Sequence, residues 1–235
     1  MPTRRAKNRK KKSVRLKDVL SKVDNSTTYT IEEAIKLAKE TSTVKFDASV
    51  EIHAKLSIDP KKGDQIIRAT VSLPHGTGKS VRILAIVPDD KQKEVKAAGA
   101  QTVGGLELID EIAKSKKIDA DVVITTPEMM KDLAKIAKIL GPKGLMPNPK
   151  TDTVTPNPAK AAEELSKGKV SFKNDDTANV HVAVGKVSFD DAKLAENIET
   201  YIDALKKAKP AAIKGIYIKS LYLTTSMGPS IKFSV

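Results

Sequence analysis

The sequence predicts a chain of mixed class, α+β toward both ends and α/β in the middle, with the middle as a candidate insertion into a domain built from the two ends. Three observations carry that reading. From Ala48 to Ile58, apolar Val50, Ile52, Ala54, Leu56 and Ile58 alternate with polar Glu51, His53, Lys55 and Ser57, the period of a half-buried strand. Val81 to Val87 is instead almost continuously apolar, as a strand covered on both faces must be, and helix and strand patterns then alternate. Residues 141–158 carry five prolines and two glycines, a density that fixes φ repeatedly and excludes a helix.

In chain order, a short amphipathic helix is predicted around Val14, Leu16, Val19, Leu20 and Val23. A firmer one starts at the capping-box pattern Thr30-Ile31-Glu32-Glu33, carries Ile31, Ala34, Ile35 and Ala38 on one side, and stops at Thr41-Ser42-Thr43. After the alternating strand, Asp59 to Asp64 reads as a turn and Gln65 to Leu73 as a second strand. The middle then reads as strand 81–87, helix 91–98, a short strand 101–103, helix 106–114 and buried strand 122–125. Thr126 and Pro127 are placed to cap a further helix bearing Met130, Leu133, Ile136, Ala137 and Leu140, which ends at Gly141-Pro142. Beyond the connector, a helix is predicted over 159–167. Strands 169–174 and 179–184 are expected to pair as a hairpin. A long helix over 191–208 carries the stripe Leu194, Ile198, Tyr201, Ile202 and Leu205, and a last strand covers 213–225 without clean alternation.

The chain of 235 residues, 40% hydrophobic and 30% charged, is long enough for one large domain or two ordinary ones and excludes collagenous and wholly disordered classes. No apolar run is long enough to span a membrane. The absence of cysteine excludes disulfides, thiolate nucleophiles and thiolate zinc sites, and suits a reducing cytosol. Charge is concentrated: the net charge is +13, and residues 1–22 hold ten cations against the single acid Asp18. Like charges at that density repel, so residues 1–12 are expected to be a disordered basic arm awaiting a polyanion. The start also lacks the apolar core of a secretory signal. Nucleic acid is the polyanion the arm fits best, because cations that neutralise phosphates release condensed counterions. A targeting segment or a solubility tail is the alternative, and a membrane would need an apolar face or lipid that the arm lacks.

No enzyme constellation emerges. Gly78-Lys79-Ser80 ends like a phosphate-binding loop, but Leu73 stands where that motif needs glycine and a strand follows where it needs a helix, so a boundary turn is the better reading. His53, His75 and His181 lack a second ligand at helical spacing, so neither a metal nor a cofactor is expected. With aromatics at 3% and no tryptophan, a channel stacking many unpaired bases is unsupported. A folded RNA read by backbone and shape fits better, through Lys45-Phe46, the strand face Glu51, His53 and Lys55, and the stretch Thr224 to Pro229, whose plain alternative is a Gly-Pro turn. An α/β enzyme using the middle segment and a membrane-surface or chaperone-like module are the readings from other classes.

Phe46-Asp47 with Val50 to Leu56, Val71 to Lys79, Ile139 to Pro149, and Thr224 to Ser230 together resemble the bacterial L-one family of large-subunit ribosomal proteins, in order and over nearly the whole chain after the arm. The resemblance implies two domains: a split β-α-β sheet domain from residues 13–72 and 159–235, and an inserted three-layer, Rossmann-like α/β domain over 73–158. It implies a non-enzymatic cytoplasmic protein of the ribosome, monomeric off it. Such a protein binds the ribosomal RNA of the mobile side stalk, helps release exit-site transfer RNA and represses translation of its own messenger RNA. Carried over by motif, the RNA contacts are Lys45, Phe46, Ser49, Glu51, Lys55, Lys173, Asp175, Ser220, Ser226, Met227 and Gly228. Ser226 stands where the family commonly has threonine, which keeps the hydroxyl and drops a methyl.

Overall fold

The computed structural model describes residues 18–24 and 27–234. The predicted basic arm and the start of the first predicted helix lie outside them; residues 18–20 are helical, and Val19 and Val23 are buried. The elements that follow are helix α1 (Ile31–Thr41), strands β1 (Ser49–Leu56), β2 (Arg68–Ser72) and β3 (Ile83–Ile86), helix α2 (Asp89–Ala97), strand β4 (Thr102–Gly104), helix α3 (Leu106–Ser115) and strand β5 (Val122–Thr125). Two short helices, α4 (Met130–Leu133) and α5 (Ala137–Leu140), precede helix α6 (Pro158–Ser166), strands β6 (Lys169–Lys173) and β7 (Asn179–Lys186), helix α7 (Asp191–Lys207) and strands β8 (Ile218–Thr225) and β9 (Ser230–Phe233).

Both ends of the chain build one antiparallel sheet, in the order β7-β1-β8-β9. The capping box that opens α1 forms as predicted: Glu33 N donates to Thr30 Oγ1 and Thr30 N to the Glu33 carboxylate, at 3.4 and 3.0 Å. Ala34, Ile35 and Ala38 of α1 and the expected stripe of α7 bury against the inward residues of β1, β7 and β8 in one cluster. At roughly 1.5–3 kcal/mol per large apolar side chain buried, this stripe supplies much of the driving force for folding.

The middle segment forms a parallel sheet in the order β4-β3-β5. Every residue of β3 is buried. Ile83 and Ala85 face α2 and α6, while Leu84 and Ile86 face α3, Leu133, Ile136 and Leu140, which makes three layers.

Four expectations are corrected by the structure. Strands β6 and β7 do not pair as a hairpin: β6 pairs with β2, β7 with β1, and only an Asn174–Val180 bridge joins them, because an Asp175 turn splays the chain between two sheets. The helix expected after Thr126 is broken by a 3-10 turn at Ala134–Ile136, which places Leu133 and Ile136 above one another on the sheet, and Thr126 does not cap it, its buried hydroxyl finding no protein partner. The last strand begins at Ile218 rather than Ile213, and β9, which sequence reading missed, follows the Ser226–Gly228 loop. Finally, α6 packs on the middle sheet through Ala161, Ala162 and Leu165, although it was expected to open the returning half of the split domain.

The two passages of chain between the cores run side by side. Leu73 N donates to Gly168 O, and a Cβ on Gly168 would sit 2.5 Å from the Gly76 Cα, so that crossing requires glycine. Both glycines also hold positive φ, 65° at Gly76 and 107° at Gly168. Buried Asn197 of α7 fastens the crossing: its amide nitrogen donates to Gly76 O and Val184 O at 3.0 and 2.8 Å, and its oxygen accepts from His75 N at 3.2 Å. Asn197→Leu keeps the volume but leaves three backbone groups unpaired. Chemical denaturation should show a loss of about 3 kcal/mol or more; a loss below about 1 kcal/mol would contradict the role of this amide.

Candidate nucleic-acid interface

A sheet with both helices on one side leaves the other side to solvent. Along β1, Ser49, Glu51, His53 and Lys55 are the half-buried residues and their neighbours are buried, as the period-two alternation demands. Strand register lines up the partners in rows: Ala183, Glu51, Thr224 and Ser230; then His181, His53, Tyr222 and Lys232; then Asn179, Lys55 and Ser220. The open face is thus paved with hydroxyls, one amide, one carboxylate, two lysines, two imidazoles and a phenol.

At one end of this face the chain leaves β8 through Ser226, Met227 and Gly228. The loop is stapled to the start of β1, since Ser226 N donates to Ser49 O at 3.0 Å and Ser49 N to Ser226 Oγ at 3.2 Å. Lys186 Nζ adds a bond to Ser49 Oγ at 3.0 Å. Met227 holds φ at 66°, an uncommon conformation for a residue with a Cβ, and its side chain stands 71% exposed. Gly228 is demanded sterically: a Cβ there would lie 2.3 Å from Thr225 Oγ1. Phe46, three residues ahead of Ser49, is 57% exposed, and Lys45 is exposed beside it. Phe46 and Met227 are therefore two large apolar side chains held out in water beside one stapled junction, an arrangement that costs solvation unless a partner covers it.

The opposite end is organised by Asp175. Its carboxylate accepts from Thr177 N and Oγ1 and from Asn179 N and Nδ2, at 2.7 to 3.3 Å. Burial opposes ionisation there, but these hydrogen bonds prevail and hold the carboxyl well below the usual carboxylate range. Lys55 Nζ donates to Thr177 O in the same turn.

Of the eleven residues expected from sequence, the structure gathers Lys45, Phe46, Ser49, Ser226, Met227 and Gly228 around one junction, and sets Glu51, Lys55 and Ser220 along the adjoining face. Asp175 spends its hydrogen bonds on its own turn at the far end, with His181 Nε2 3.5 Å from its carboxylate. Lys173 lies apart: it faces Arg68 across the β2-β6 ladder and lines a cleft of about 250 Å³ together with Asp121, Gly144 and Met146 of the middle segment. Tyr222, His181 and Lys232 join the face without having been expected, beside Thr224, which the sequence did single out. His181 and Lys232 become its neighbours only through pairing with distant strands, while Tyr222 was hidden by the unclean alternation of β8, in which a register shift turns Ile218 toward the core.

The middle segment offers an alternative cavity of about 710 Å³ at the carboxyl ends of β3 and β4. Asp89, Glu107 and Glu111 line it with no lysine or arginine, so a nucleotide phosphate there would meet repulsion. Among the described residues no helix is long and apolar enough to cross a membrane.

Comparison with known proteins agrees with the architecture. The family model for the Ribosomal protein L1p/L10e family matches residues 38–229. The large ribosomal subunit protein uL1 of Macrococcus caseolyticus (strain JCSC5402) is 52% identical over 222 residues, which cover 94% of this chain and 96% of that protein. A match that runs through the split sheet, the inserted parallel sheet and the stapled loop alike leaves one conclusion: the chain belongs to the Ribosomal protein L1p/L10e family.

Proposed function

We propose that the stapled Ser49–Ser226 junction and the open sheet face beside it are the surface through which this ribosomal protein holds ribosomal RNA of the large subunit. The observation that carries the reading is the pair of exposed apolar side chains, Phe46 and Met227, fixed next to hydroxyls, lysines and a glycine. Met227 and Phe46 can pack on sugars or unstacked bases. Gly228 lets main chain approach a ribose, and the Ser220 and Ser226 hydroxyls can bond the 2′-hydroxyl that separates RNA from DNA. Lysines 45 and 55 add the sequence-independent share.

Family membership supports the finer reading that the RNA is the mobile side stalk, that the protein helps deacylated transfer RNA leave the exit site, and that its own messenger is repressed by presenting a similar structure to the same surface. The basic arm would then add phosphate contacts beyond the folded site, the work its charge density fits. No step in this reading needs a bound cofactor or a catalytic group.

Met227→Asp places a charge on the exposed tip, and aspartate tolerates the positive φ, so the fold should survive. Filter binding to a side-stalk RNA fragment should weaken more than about ten-fold with the melting temperature unchanged, and a messenger leader that uses the same surface should lose affinity in parallel. Unchanged RNA affinity would overturn the site. Removing residues 1–12 should lower affinity chiefly at low salt and flatten the dependence of log K on log salt by several charges. Superimposable salt slopes would reject the arm as an RNA contact.

A further inference from the structure

The middle row of the open face contains a contact that no spacing along the chain announces. His53 and His181 sit at one register position, with Nδ1 atoms 2.7 Å apart and rings edge to face at 4.9 Å between centroids. Two nitrogens at that separation need one proton between them, since two lone pairs, or two N–H groups, would repel. Each outer nitrogen faces a carboxylate: His53 Nε2 is 3.9 Å from Glu51 and His181 Nε2 is 3.5 Å from Asp175. Three protons on the four nitrogens satisfy every direction at once, one shared and one aimed at each carboxylate. That arrangement is an imidazolium paired with an imidazole. The neutral pair, one proton poorer, turns a lone pair toward a carboxylate, and the dication forces two N–H groups together.

The other groups facing the pair are few. Lys55 follows on β1, Tyr222 lies directly across on β8, and Lys232 lies beyond it on β9, while β7 contributes only neutral Asn179 and Ala183. Burial first, then the neighbouring His181 ring, push the His53 imidazolium toward losing its proton, with Glu51 opposing. The imidazolium form of His53 is therefore disfavoured in the free protein, and both side chains remain open to a ligand, at 30% and 51% exposed.

We propose that His53 and His181 are a proton-linked RNA contact: a phosphodiester laid across the His181–His53–Tyr222 row draws the third proton onto the pair, which makes the RNA affinity of this face sensitive to pH. The inference rests on the RNA reading of the face and deepens it. Lys55 and Lys232 flank the row and offset Glu51, and the Asp175 oxygens are engaged by Thr177 and Asn179. The sign follows from linkage. RNA raises the proton affinity of the pair, so complex formation takes up as much as one proton, and affinity falls as pH rises through the pKa values of the free and then the bound pair.

The test is RNA affinity of the full chain from about pH 6 to about pH 8 at constant ionic strength, with a side-stalk RNA fragment as probe. The double variant His53→Gln with His181→Asn keeps hydrogen-bonding groups and removes imidazole titration from the row. Native protein should bind about five- to ten-fold more tightly at the acid end, and the double variant should change by less than about two-fold. Imidazole resonances of native protein should report a pKa that rises on adding RNA, a readout that stands even where a variant folds poorly. Parallel pH profiles for native and variant proteins, or an imidazole pKa indifferent to RNA, would overturn the proton link. RNA binding that ignores Met227→Asp would instead overturn the site reading and leave the imidazole titration to be judged by itself.

Discussion

The architecture depends on one constraint: β1 is a central strand that must find both partners far away in the chain. β7 lies about 130 residues downstream and β8 about 170, and β1 satisfies its backbone only when both return to it. Since α1 and α7 both cover the same side, the sheet buries one face and exposes the other. The exposed face follows directly from that arrangement, and so does its composition, because every second residue of four strands must live in partial contact with water.

A second consequence is the double crossing to the middle segment. Any body inserted between β2 and β6 must be reached and left through adjacent strands, and the two passages touch where Gly76 meets Gly168 with no room for a side chain. Three backbone groups would be left unpaired there without the buried amide of Asn197, whose hydrogen bonds tie the crossing to β7 and α7. The two bodies keep separate cores, so the crossing is held by polar bonds and close backbone approach rather than by a shared apolar interior.

Much of the candidate site was legible before folding. Phe46, Ser226, Met227 and Gly228 belong to short continuous segments, and alternation put Glu51, His53 and Lys55 on one side of a strand. What could not be read were relations across strands. Lys173 and Asp175 stand two residues apart, yet one enters an interbody cleft and the other knots its own turn, because β6 and β7 leave that turn for different sheets. The pairing of His53 with His181 likewise depends on a register that no local pattern carries.

Local interactions are encoded locally, and these the amino-acid sequence determined by itself: the capping box of α1, the alternation of β1, the two-sided burial of β3, the stripe of α7 and the concentration of charge at the start of the chain. Tertiary structure decided which strands pair, where the chain crosses between cores, that α6 joins the middle sheet, and which polar residues share a row. The physical reason is that hydrophobic periodicity specifies which side of an element is buried without specifying against what, and partner choice is settled only when every backbone hydrogen bond and every core surface is satisfied together.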